Sequence, residues 1–175
     1  MSCSTLDMDT FAATKAHVAK NPEDGKGTFE TVTEWKDGAK AVTRARTFVI
    51  ETDEPAPLGG TDQAIDPMEL LLGALGSCLT IGWVTQANLR GVDYRRLKIT
   101  VKAPFDLRGY LALDKDVRPG FGGLEYEVEV DSDASDAVLE EIKAASEATS
   151  PMFDNILRPT GISGKISKVS AEAVA

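Results

Sequence analysis

The sequence predicts a single α+β domain in which antiparallel strand groups surround two main helices. Three observations carry that expectation. Period-two alternation flanks Asp37-Gly38 and recurs around Leu97–Val101 and Leu124–Val130, as half-buried strands require. Helical periodicity occupies Pro67 to Leu89 and Ser135 to Ala148. A length of 175 residues with 42% hydrophobic and 27% charged side chains suits one globular unit that needs no staples for its core.

Taken in order, Leu6 to Lys20 reads as a helix with a thin apolar stripe, stopped by Asn21-Pro22, with His17 on its solvent side. Asp37-Gly38 is a two-residue hairpin signal. With that turn, Trp35 faces Lys40, Thr33 faces Val42, Thr31 faces Arg44 and Phe29 faces Arg46, and the second strand runs unbroken from Ala39 to Glu51. That register sets Arg44 and Arg46 on the face of Phe29, Phe48 and Ile50. Asp53 to Gly60 is a Pro/Gly-rich loop. Asp66-Pro67-Met68-Glu69 has the form of a capping box with proline in the first turn, and Arg90-Gly91 closes the helix it opens. Val138, Leu139, Ile142 and Ala145 form the inward stripe of the second helix, Ser150-Pro151 opens a short further helix to Leu157, and Gly161 to Val169 alternates as a last strand. Residues 1–27 form an N-terminal helix and linker, 28–170 the domain and 171–175 a tail.

With 28 acidic against 19 basic residues and a net charge of −9, phosphate neutralisation lacks its lysines and arginines, so no nucleic-acid partner is expected. The apolar run Leu70 to Val84 is cut by Gly73, Gly76, Ser77, Thr80 and Gly82, which argues against a membrane span or signal segment. One histidine and two distant cysteines, Cys3 and Cys78, supply neither a disulfide framework nor a zinc or iron–sulfur ligand set, so no cofactor is expected and a reducing cytoplasm is the expected location.

Leu71, Ala74, Leu75, Cys78, Ile81, Gly82 and Thr85 share one face of the central helix. Three interior glycines each cost about 1 kcal/mol against alanine, a penalty that close packing compensates. Cys78 on this stripe has two readings: a small inert core residue, or a reactive thiol, which needs a cation that favours the thiolate and a path to solvent. Arg90, twelve residues on, is the nearest cation along the helix, about 18 Å away. Arg44 and Arg46 are therefore the candidate partners, the alternative being that both extend to the sheet edge. Glu69 falls on the opposite side of the helix from Cys78 and reads as a cap.

The runs Asp53-Glu-Pro-Ala-Pro-Leu-Gly-Gly60, Asp66-Pro-Met-Glu-Leu-Leu-Leu-Gly-Ala-Leu-Gly-Ser-Cys-Leu79 and Ser150-Pro-Met-Phe-Asp-Asn-Ile-Leu157 resemble the OsmC/Ohr family. Asp106-Leu-Arg-Gly109 and Val117-Arg-Pro-Gly120 are similar to segments of one OsmC-like branch. The likeness spans about Phe29 to Ile166. It implies an OsmC-like fold, an intertwined homodimer with central helices packed across the interface, and a thiol at Cys78 that attacks the O–O bond of an organic hydroperoxide. A second cysteine then resolves the sulfenic acid as a disulfide that dithiol or lipoyl-type reductants open, while an arginine and a glutamate hold the thiolate.

Carried over by residue, Cys78 matches the attacking thiol and Arg44 or Arg46 the arginine. Ser150 occupies the resolving position, and Met68 that of the glutamate, with Glu69 one residue away. The resemblance therefore implies a one-cysteine, thiol-dependent peroxidase of the oxidative-stress class, regenerated by an external thiol or lipoyl-type dithiol. The alternative is a non-catalytic dimeric module that binds a small hydrophobic or acyl ligand. Cys3 would resolve the sulfenic acid only if the N-terminal tail folds back.

Overall fold

The computed structural model describes residues 6–158 and 160–169; Cys3 and the 171–175 tail lie outside them. Helix α1 (Met8–Lys20) is capped by Asp7 and buries no residue, in keeping with its thin stripe. His17 is exposed and pairs with Asp24 at 2.7 Å. Strands β1 (Val32–Asp37), β2 (Lys40–Ala45) and β3 (Phe48–Thr52) form an antiparallel sheet in that order, rich in β-branched residues that suit a pleated surface. Helix α2 (Pro67–Leu89), β4 (Arg96–Lys102), the single turn α3 (Leu107–Tyr110), β5 (Glu125–Asp131), α4 (Asp136–Thr149) and α5 (Pro151–Leu157) complete the chain. The α+β prediction holds.

The core lies where α2 and α4 meet the β4–β5 pair. Leu75, Leu79, Trp83 and Ala87 recur every four residues as the buried stripe of α2. Trp83 and Ala87 pack with Ile142 of α4, against Leu97 and Ile99 of β4 and Val128 and Val130 of β5. Leu97 is paired with Val130 and Ile99 with Val128, so the alternation of both strands delivers its apolar members to one face. Helix α2 has the predicted bounds. Its capping box is complete, with Asp66 accepting from Met68 N–H at 2.6 Å and Glu69 accepting from Asp66 N–H at 3.2 Å.

Two strand predictions need correction. Asp37 stays in β1 opposite Lys40, so the turn falls on Gly38 and Ala39, with Gly38 in the left-handed region at φ +52° and the Trp35 indole donating to its carbonyl at 3.0 Å. With an irregularity between Trp35 and Asp37, the register moves by one: Thr33 faces Thr43, and Val32 faces Arg44. A one-residue shift exchanges faces. The predicted second strand is also two strands, broken at Arg46, which turns at φ +57°. The final segment, Gly161 to Val169, forms no strand, and Ile162 and Ile166 are each 97% exposed. The alternation is there, but among the described residues no strand edge pairs with it.

Among the described residues the β1–β3 sheet makes no substantial packing contact with any helix; β1 is exposed along its length. It is joined to the rest through Asp53, 1% exposed. The Asp53 carboxylate accepts from the Glu54, Thr61 and Gln63 N–H groups and, at 2.6 Å, from the Thr61 hydroxyl. Thr52 bridges Ile65 beside it. Gly60 lies so close to Glu54 that a Cβ would sit 1.7 Å from its carbonyl oxygen, so no larger residue closes this loop.

Foremost through the Thr61 hydroxyl, these donors lower the Asp53 carboxyl from 3.8 to about 2. A carboxyl depressed on folding stabilises the fold above its unfolded value, and that stability is lost as pH falls through the folded value. The urea midpoint should therefore decline between about pH 4 and pH 2. Asp53→Asn should lower it near neutral pH and flatten that acid limb, as chemical denaturation across the range will show.

Candidate functional site

Cys78 lies one helical turn before Gly82 on α2, and Ser150 one turn beyond Ser146 of α4. These helices cross very closely: a Cβ on Gly82 would lie 2.9 Å from the Ser146 hydroxyl oxygen. Gly82 thus explains one of the three helix glycines. Gly76 would meet Val101 at 3.5 Å, an ordinary contact, and Gly73 faces open space. The crossing brings Cys78 Sγ within 3.2 Å of Ser150 Oγ.

Cys78 is partly exposed, whereas Ser150 is 4% exposed. Ser150 is the N-cap of α5, its Oγ accepting from Phe153 N–H at 3.2 Å, and its own N–H donates to the Glu147 carbonyl at 3.3 Å. Residues that sequence reasoning did not single out fasten this corner. The Tyr126 hydroxyl of β5 donates to the Glu147 carboxylate. Lys143 reaches Glu147 at 3.3 Å and stands 5.9 Å from the Tyr126 ring centroid. The Tyr126 ring meets Phe153 edge to face at 6.4 Å. Burial first, and the Glu147 bond second, push the Tyr126 hydroxyl well above its ordinary range, so it remains a donor. The signal for Ser146 was its place between Ile142 and Ser150 at intervals of four, a polar residue in line with a core position.

The arginines are not brought to the thiol within the chain. Arg44 is exposed on the β2 face shared with Val32 and Val49: the register shift against β1 takes it off the predicted Phe29 face, and the break at Arg46 takes it off the face of Phe48 and Ile50. Arg46 lies at the β2–β3 turn and covers the Phe48 ring at 5.0 Å. Its pairing with an aromatic is as expected, but not its strand placement. Glu69 is occupied in the capping box. Met68, exposed at the start of α2, is ten residues and about 15 Å of helix axis from Cys78.

On the far side of α2 from Cys78, an open groove of about 570 Å³ is lined by Leu72, Gly73, Gly76, Thr80, Ile99 and Val101, among others. Leu71 and Ile81 are exposed, Ile81 by 64%. Although glycines and hydroxyls interrupt it, α2 is long and apolar enough by composition to cross a membrane; in this fold it packs on α4, α5 and β4. No cluster of three His, Cys, Asp or Glu side chains suited to a metal ion occurs among the described residues.

The arrangement presents a partly exposed thiol on the central helix, in contact with a buried hydroxyl. If this is the resolving position, Ser150→Cys should oxidise under mild conditions to a bridge between Cys78 and the introduced thiol, since paired sulfurs require only modest adjustment from the present contact. Peptide mass mapping that finds only intermolecular or Cys3 adducts would refute the placement.

The family model for OsmC-like proteins matches residues 60–163. No curated protein matches the chain. Among solved structures, the OsmC-like protein from Mycoplasma pneumoniae superposes with a TM-score of 0.66 at 14% identity, over 75% of this chain and 89% of its own. A protein from Psychrobacter arcticus described as a putative osmotic stress induced and detoxification response protein gives 0.62 at 16%, over 77% and 91%. An organic hydroperoxide resistance protein OsmC from Legionella pneumophila gives 0.54 at 16%, over 74% and 89%.

Proposed function

The chain belongs to the OsmC-like protein family, and from that membership we propose that it reduces organic hydroperoxides through Cys78 in a one-cysteine cycle. One observation carries the reading: a partly exposed thiol on the central helix lies 3.2 Å from the residue that stands in the resolving position. The Cys78 thiolate attacks the distal peroxide oxygen, the O–O bond breaks and the alkoxide leaves, taking a proton to become the alcohol. Cys78 is then a sulfenic acid. Serine cannot form a disulfide, so an external thiol condenses with the sulfenic acid and releases water. A second thiol, or the other sulfur of a lipoyl-type dithiol, opens the mixed disulfide and restores Cys78. Two electrons pass from the thiols to the peroxide.

The active form is a homodimer of cytoplasmic location. What supports the dimer is the apolar surface the chain leaves uncovered: the β1–β3 sheet, Leu71 and Ile81 of α2, and the groove beside Gly73. Such a surface exceeds the scattered apolar residues of a monomer. The groove also favours a second reading, a dimeric module that binds a small hydrophobic or acyl ligand with Cys78 as packing.

Brief treatment with cumene hydroperoxide should leave a sulfenic acid on Cys78 that a dimedone probe captures. Peroxide consumption supported by added dithiol should disappear in Cys78→Ser. Absence of both, with lipid or fatty-acid binding retained, would establish the second reading. Light scattering at micromolar concentration should give twice the chain mass. Ile81→Asp, which disturbs little within one chain, should reduce that mass to the monomer's or prevent soluble assembly.

A further inference from the structure

We infer that Ser150 is a positioning residue whose hydroxyl donates to the Cys78 sulfur, holding it as thiolate and then as sulfenate; this rests on the proposed thiol chemistry. The direction of the bond follows from what else the hydroxyl does. Its oxygen already accepts from Phe153 N–H at 3.2 Å. Its one hydrogen needs an acceptor, because a buried donor left unpaired costs free energy, and among the described residues the Cys78 sulfur at 3.2 Å is the partner on hand. A sulfur that receives an O–H bond is favoured in its anionic form. The same donor can follow the oxygen added on oxidation.

The surroundings leave this role to Ser150. Helix α2 carries no charged side chain beyond Glu69, which is held in the capping box. On β4, Arg96, Lys98 and Lys102 alternate with the apolar Leu97, Ile99 and Val101, of which Leu97 and Ile99 pack on the core, and Lys98 is paired with Glu129. On α4 and β5, Lys143, Glu147 and Tyr126 satisfy one another. On α5, Asp154 is paired with Arg158 at 3.1 Å. The position that a two-cysteine cycle uses to close a disulfide is here a neutral hydrogen-bond donor. It stabilises the oxidised sulfur and leaves its reduction to a thiol from outside.

The test is the pH profile of Cys78 alkylation by iodoacetamide in a Cys3→Ser background, which leaves one of the two thiols. It needs no peroxide, so it stands or falls apart from the peroxidase reading. Ser150→Ala should displace the profile to higher pH and slow alkylation near neutrality by roughly tenfold, the scale of one hydrogen bond to a charged group. Ser150→Thr, which keeps the hydroxyl, should restore it. Ser150→Asp keeps the cap on Phe153 N–H but sets a negative charge against the sulfur. It should displace the profile further, and it serves as the test if the alanine variant does not fold. A folded alanine or aspartate variant with the parental profile would overturn the inference, as would equal displacement in the alanine and threonine variants.

Discussion

At Gly82 the backbone of α2 comes so near α4 that a single added carbon would press on the Ser146 hydroxyl. Helices normally cross 8–10 Å apart, at a distance set by the side chains at the contact. Removing the side chain on one helix and leaving a serine on the other reduces that spacing. Cys78 lies four residues before Gly82 and Ser150 four residues beyond Ser146, on the same side of this crossing, and at ordinary spacing a thiol and a hydroxyl would not span the gap. The glycine's cost in helix propensity is thus repaid twice, in core packing around Trp83 and Ile142 and in the contact between sulfur and oxygen. Ser146 Oγ and Trp83 Nε1 are buried without a hydrogen-bond partner among the described residues, a further cost that the close crossing carries.

A second constraint sits at Asp53. The β1–β3 sheet contributes little to the core around α2, so its attachment rests on the loop between β3 and α2. There a carboxylate is shielded from water, and four donors and a neighbouring bridge replace its hydration. Beside it, burial and then the charge of Asp66 raise the Glu54 carboxyl above its ordinary value. The loop therefore holds one strongly acidic and one weakened carboxyl side by side.

The parts of the fold written in local chemistry were legible from the sequence. Asp66, Pro67, Glu69 and Gly91 mark both ends of α2 because caps are short-range hydrogen-bond problems with few solutions. The inward stripe of α4 was legible from its period. What failed depends on parity or on distant partners. A turn displaced by one residue, and a second turn at Arg46, put Arg44 on the face opposite Phe48 and Ile50, and local alternation alone does not reveal such shifts. Ile162 and Ile166 have a strand's spacing, but a strand exists only where an edge receives it. The meeting of Cys78 with Ser150, 72 residues apart, was legible through family resemblance and not through periodicity.

The displacement of Arg44 and Arg46 bears on the chemistry as well as on the reading. Within one chain the sulfur has a hydroxyl donor but no guanidinium, and a neutral hydrogen bond favours a thiolate less than a full positive charge at contact. Arg44 lies in, and Arg46 at a turn of, the sheet that makes no substantial packing contact with a helix among the described residues. If the proposed dimer covers this sheet with the exposed flank of α2, burial of the sheet would also carry its cations toward a central helix. Assembly and thiol activation would then be one free-energy problem: whatever weakened the apolar interface would also remove positive field from the sulfur. A dilute or dissociated chain would retain the Ser150 contact, which is internal, and lose any contribution from the arginines. In such a dimer the internal donor would set a floor on the reactivity of Cys78, and the second copy would set how far above that floor it rises.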